Sequence, residues 1–188
     1  ARLLGDTGYF VTYEQVDPLF SVDLSDPEKP KILGKLKIPG FSEYLHFYGE
    51  DRLLGIGMST DEESGVAEGV KITMFDISDR SDVKEESTLV LDDLYGSHAA
   101  YDYKSVLADP EKNVIGLSGY SQNGESYYLL TYNRTDRKFE TILQEEVNGN
   151  TSQGIRGIYI EDTLYVISGN IIEAYDMNTG VKSGDIIL

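Results

Sequence analysis

With 188 residues, 40% of them hydrophobic and 26% charged, the chain is long enough to bury a core and too apolar for wholesale disorder. Its 33 acidic and 16 basic residues leave a net charge of −17, a field that repels a phosphate backbone and excludes nucleic acid as a partner. Cysteine is absent, which excludes a disulfide framework and thiolate metal sites. No apolar run approaches about 18 residues, so this segment itself is expected to make no membrane contact.

In chain order, Arg2 to Leu4 is a short apolar piece, and Gly5-Asp6-Thr7-Gly8 turns it into Tyr9-Phe10-Val11. Leu19 to Leu24 reads as the next strand and ends in a polar turn at Asp23 to Asp26. Pro30 to Ile38 then alternates, with Ile32, Gly34, Leu36 and Ile38 on one face and Lys29, Lys31, Lys35 and Lys37 as a solvated stripe. The same series returns as Tyr44 to Tyr48, Arg52 to Gly57, Ile72 to Asp76 and Val83 to Leu91, with a polar tip at Thr60 to Gly69. A third pass predicts strands over Lys104 to Ala108, Val114 to Ser118, Leu129 to Asn133 and Phe139 to Val147, with a tip at Gln122 to Glu125. The fourth predicts Arg156 to Ile160, Leu164 to Ser168, Ile172 to Asp176 and Val181 to Leu188. No window carries apolar residues at helical spacing without β-branched or glycine interruption, so helix is expected to be nearly absent.

Asp23, Asp76, Asn133 and Asp176 occupy the same place in the four passes, 53, 57 and 43 residues apart. Such spacings bracket one four-stranded propeller blade. The aromatic or apolar residue before each packs between neighbouring sheets, and the acid or amide bonds the backbone two residues on to set the turn into the last strand. The expected fold is therefore all-β: a β-propeller of four-stranded antiparallel blades, with about four blades over residues 1–40, 41–95, 96–149 and 150–188. The short opening strand Arg2 to Leu4 reads as a cut near a blade boundary, so an arc of a larger ring is expected. Its exposed edges would be open to self-association.

The run Asp17-Pro18-Leu19-Phe20-Ser21-Val22-Asp23-Leu24-Ser25-Asp26-Pro27, with Ile38-Pro39-Gly40-Phe41-Ser42-Glu43-Tyr44-Leu45-His46, resembles the secreted prokaryotic β-propeller-domain family distantly related to WD-type repeats. Tyr101-Asp102-Tyr103-Lys104 before Asp109-Pro110-Glu111-Lys112-Asn113 is similar to that family's segment between blades. The family has His where Tyr103 stands, a departure that argues against a metal or catalytic role for this segment. The resemblance implies a propeller, export to the cell envelope or beyond with an anchor or signal outside this chain, and no assigned activity.

His46 and His98 are the two histidines, and with Asp102 they are the metal-ligand candidates. Two histidines without a third matched ligand fall short of a metal signature. Asp61-Glu62-Glu63 and Asp92-Asp93 supply oxygen ligands of the kind calcium takes, without the spaced loop that holds it tightly, so no resident cofactor is expected and calcium is the one cation the acids would suit. Gly116-Leu117-Ser118-Gly119-Tyr120 comes closest to a nucleophile elbow but lacks the final glycine and lies on a strand, so no catalytic residue is assigned. Phosphate loops and dinucleotide fingerprints are absent. Fourteen tyrosines offer flat amphipathic area, yet Tyr9, Tyr132, Tyr165 and Tyr175 fall at core-like strand positions. Asn133-Arg134-Thr135 and Asn150-Thr151-Ser152 match the glycosylation acceptor pattern, a pattern frequent by chance.

These features favour a non-enzymatic binding scaffold of an exported protein, engaging a protein or cell-surface ligand through loops at one end of the propeller axis. The rival is the propeller portion of a hydrolase-type enzyme, or a metal-binding domain, that uses His46, His98 or nearby acids facing the channel.

Overall fold

The computed structural model describes residues 1–12, 18–61, 63–148 and 154–188. Asp17 of the family-like run, Glu62, and the second acceptor pattern Asn150-Thr151-Ser152 lie outside the described residues. Period-two alternation broken every few residues by turn chemistry yields only strands and two short 3-10 turns among them.

The chain divides into two units, Ala1–Asp92 and Asp93–Leu188. In the first, β1 (Arg2–Leu4), β2 (Thr7–Val11), β3 (Pro18–Asp23) and β4 (Lys31–Lys37) form one antiparallel sheet in chain order. A second sheet follows from β5 (Phe41–Phe47), β6 (Arg52–Thr60), β7 (Ala67–Asp76) and β8 (Lys84–Leu91). Tyr9 and Leu19 of one sheet meet Leu45, Leu53 and Phe75 of the other in a common core. Each such side chain withdrawn from water contributes roughly 1.5–3 kcal/mol. Arg80, in the turn between β7 and β8, reaches the first sheet: its Nη1 donates to Thr7 Oγ1 at 2.7 Å, and its carbonyl accepts from Ser21 Oγ.

The second unit holds β9 (Leu94–Ser97), β10 (Leu107–Asp109), β11 (Val114–Ser121), β12 (Gly124–Asn133) and β13 (Lys138–Glu146) in one sheet. A further sheet is built from β14 (Ile155–Ile160), β15 (Thr163–Ser168), β16 (Ile171–Asp176) and β17 (Lys182–Ile187). Tyr127 and Leu129 pack with Ile155, Leu164, Val166 and Tyr175 between them.

The turn before each last strand is closed as its sequence dictates. Asp23 Oδ1 accepts from Ser25 N at 2.9 Å, Asp76 Oδ1 from Ser78 N at 2.9 Å, Asn133 Oδ1 from Thr135 N at 3.0 Å and Asp176 Oδ1 from Asn178 N at 2.9 Å. The Asn133 amide nitrogen donates to Asp136 at 3.0 Å, so this residue of the first acceptor pattern is committed to its turn. Hydroxyl bonds from Ser25, Ser81, Tyr159 and Thr179 are the leading cause that holds Asp23, Asp79, Asp109 and Asp176 below the usual carboxylate range. A carboxylate whose folded pKa is depressed adds stability above its unfolded value near 3.8, and loses it as pH falls through the folded value. The thermal midpoint should therefore show an acid limb below about pH 4. Asp176→Asn, which keeps the acceptor oxygen and removes the charge, should make that limb shallower; an unchanged slope in the variant would place its source elsewhere.

Two expectations are corrected. The alternation that puts Ile32 on the inner face of its strand fails, because pairing shifts between Ser21 and Val22. The bulge leaves Leu33 without an opposite residue and turns Ile32 outward, where it is exposed. The strand expected over Lys104 to Ala108 is a 3-10 turn at Tyr103–Ser105 followed by β10. The opening strand of that sheet is split in two, β9 and β10, which both pair β11.

Candidate functional site

The split strand builds the most distinctive surface of the second unit. β11 is long enough for two partners: Gly119 and Tyr120 pair with Ser97 and Gly96 of β9, while Val114 to Gly116 pair with β10. Residues 98–106 leave the ladder between them as two 3-10 turns, His98–Ala100 and Tyr103–Ser105. Ser97 Oγ accepts from Ala99 N at 3.2 Å, capping the first turn, and donates to Ser118 O at 3.1 Å, satisfying a carbonyl next to the gap. Asp102 Oδ1 caps the second turn, accepting from Lys104 N at 3.0 Å.

His98 swings under this excursion and is 5% exposed. Its Nδ1 lies 2.7 Å from Ser118 Oγ and its Nε2 3.4 Å from Glu125 Oε2. The ring makes edge contacts with Tyr120 at 4.6 Å and Tyr101 at 5.9 Å between centroids. Burial lowers the imidazole pKa below its usual 6.5, against the opposing pull of Glu125 and Asp102, so the ring is mainly neutral at pH 7. An unfolded chain takes up this proton first, so the stabilising contribution is complete above pH 6.5 and is lost as pH falls toward the folded value. His98→Gln should therefore narrow the drop in thermal midpoint between pH 7.5 and 5.5. A drop equal to that of the unmodified protein would assign it to other groups.

Tyr95, Tyr101 and Tyr103 stand 65%, 66% and 66% exposed above this buried network. The Tyr101 hydroxyl bonds that of Tyr120, and the Tyr95 hydroxyl donates to Ser121 O. Tyr120 sits opposite Glu125 across the β11–β12 hairpin. Tyr95, Tyr120, Asn123, Glu125 and Val147 line a shallow cleft of about 510 Å³.

The sequence-derived candidates divide accordingly. His98 and Asp102 belong to one excursion, where Asp102 Oδ2 is 4.0 Å from Arg156 Nη2. His46 lies on β5 of the first unit, half-buried, its Nδ1 at 2.9 Å from the Tyr44 hydroxyl. Burial, then the Arg2 charge, lowers its pKa. Among the described residues no three His, Asp or Glu side chains gather as a metal-ligand set. Asp61 Oδ1 accepts from Glu63 N, Ser64 N and Ser64 Oγ and so closes its own turn, and Asp93 Oδ2 accepts from the Tyr128 hydroxyl of β12 at 2.6 Å. Ser118 is fully buried inside β11, where no substrate reaches its hydroxyl.

The chain itself matches the family described as Beta propeller domain over residues 1–180. The chain belongs to the beta-propeller domain family. An uncharacterised protein of Archaeoglobus fulgidus is 40% identical over the whole of this chain, which spans 27% of that protein. An uncharacterised protein of Methanocaldococcus jannaschii is 34% identical over 94% of the chain, which spans 26% of it. This propeller segment thus covers about a quarter of the length of the curated relatives it matches. Among solved structures, Sqt1 of Saccharomyces cerevisiae aligns over 97% of the chain and 45% of its own, with a TM-score of 0.62 at 15% identity. Apo AztD from Citrobacter koseri aligns over 98% and 45%, with a TM-score of 0.53 at 14% identity. At such identities both likenesses bear on the fold alone.

Sequence reasoning missed Tyr95, Tyr120 and Glu125. A signal existed in Tyr95 and Tyr120 standing next to Gly96 and Gly119, since a β-carbon on Gly119 would meet the Gly96 carbonyl oxygen at 2.6 Å and one on Gly96 the Tyr120 ring at 3.4 Å.

Proposed function

We propose that this propeller segment is a protein-binding scaffold of an exported, cell-envelope protein, and that the tyrosine surface on the split strand is where a partner docks. The observation that carries the reading is the exposure of Tyr95 on β9 and of Tyr101 and Tyr103 on the excursion that follows it. Tyrosine offers a rigid apolar face with a polar tip, and such residues anchor interfaces at low entropic cost. The rings are not spare core: other tyrosines, Tyr9, Tyr127, Tyr132 and Tyr175 among them, are the buried ones, and Tyr165 is half-buried. A cysteine-free composition suits an oxidising compartment and leaves no thiol to protect.

The test is a peptide array probed with the unmodified chain and with the Tyr95→Ala, Tyr101→Ala, Tyr103→Ala triple variant. Truncating three anchors should weaken the bound sequences by about tenfold or more at an unchanged thermal midpoint. An identical binding profile would remove the tyrosine surface from the reading. Self-association has support of its own, since every residue of β17 is exposed and Ile186 and Ile187 stand on this edge strand. Ile187→Lys should then lower the mass measured by light scattering, and a monomer before and after the change would count against it.

A further inference from the structure

The cleft beside the tyrosine surface has the chemistry of a cation site. Glu125 lines it, and one carboxylate oxygen, Oε2, is buried without a hydrogen-bond partner among the described residues. Among the described residues no lysine or arginine forms an ion pair with this carboxylate; the one basic group beside it is His98, at 3.4 Å, whose burial favours the neutral ring. The two aromatic walls, Tyr95 and Tyr120, are held by their hydroxyls, to Ser121 O and to Tyr101 respectively, so each ring is kept in place before any ligand arrives. Glu146 adds a second carboxylate close by, accepting from Asn123 Nδ2 at 3.0 Å. A carboxylate with one oxygen withdrawn from water, set beside aromatic rings whose faces carry negative potential, attracts an ammonium or guanidinium group and gives an anion nothing to bind. Val147 supplies apolar contact for an alkyl stem.

We propose that this cleft takes an alkylammonium or guanidinium group, and that the group is a lysine or arginine side chain of a partner protein. The assignment rests on the protein-binding reading of the adjoining tyrosines and names the chemistry the partner must present there.

The experiment titrates the chain with blocked Gly-Lys-Gly, Gly-Arg-Gly and Gly-norleucine-Gly tripeptides and with free spermidine, following the ring resonances of Tyr95 and Tyr120. The lysine and arginine peptides should bind about tenfold tighter than the norleucine peptide, and added salt should weaken them. Glu125→Gln should lose about that factor while the thermal midpoint holds. Tyr95→Leu, which keeps apolar area and removes the ring, provides a second variant with a several-fold loss should Glu125→Gln fail to fold. Equal binding of norleucine and lysine peptides would overturn the cation assignment and leave peptide binding standing. Spermidine binding alone, lost in Glu125→Gln, would keep the cation preference and overturn the protein source. If nothing shifts either ring, the assignment falls, and the tyrosine surface is then judged by the array and its triple variant.

Discussion

Replacing Gly157 by alanine is expected to cost about 3 kcal/mol, the upper range for forcing an extra group into a packed core. A β-carbon at this position would lie 1.8 Å from the Tyr127 hydroxyl oxygen and 2.5 Å from its Cζ. Tyr127 cannot retreat, because it is fully buried and a β-carbon on Gly116 would meet the same hydroxyl at 2.1 Å. The tip of this ring therefore occupies the space left by two glycines on β11 and β14, which is how the third and fourth sheets approach each other here. Among the described residues the hydroxyl has no hydrogen-bond partner, and burial drives its pKa far upward, so it contributes bulk without a compensating bond. Tyr127→Phe should accordingly be neutral or stabilise the chain by about 1 kcal/mol, since an unsatisfied buried hydroxyl is removed. When Gly157→Ala is added to the Tyr127→Phe variant it should cost less than in the original protein, and a double-mutant cycle by urea denaturation reads the difference. Additive costs would show that hydroxyl and glycine do not share this space.

Arg52→Met should destabilise the protein by a similar amount, about 3 kcal/mol. Arg52 grips Glu86 through two bonds, Nε to Oε2 at 2.7 Å and Nη2 to Oε1 at 3.0 Å, and the Glu86 side chain is 2% exposed. Without the guanidinium, a carboxylate already out of water loses the cation that offsets its desolvation. The double variant Arg52→Met with Glu86→Leu removes both charges and should recover most of the loss, because a buried pair and a well-packed apolar pair differ little in net stability. A thermal midpoint that stays low in the double variant would mean that packing of the arginine stem, rather than its charge, carries the effect.

What could be read from the residues was the part encoded locally. Four turns at Asp23, Asp76, Asn133 and Asp176 depend on one side chain and the two or three residues after it, and all four close as the spacing implies. The last strands, expected from Pro30, Val83, Phe139 and Val181, begin at Lys31, Lys84, Lys138 and Lys182, within a residue of their expected starts. Exposed Ile32 and the missing strand at Lys104 went the other way, because a bulge and a strand break are settled by which partner residues the neighbouring strand offers.

Sequence alone thus determined four sheets, their strand order and the acidic field around them, since alternation, turn chemistry and charge act over a few residues or over the chain as a whole. Tertiary structure decided the candidate site. Tyr95, Tyr101, Tyr120 and Glu125 become neighbours only because β9 and β10 share one side of β11 and residues 98–106 leave the ladder between them. The break accompanies the burial of His98 against Ser118, a contact between residues 20 positions apart that no local pattern announces.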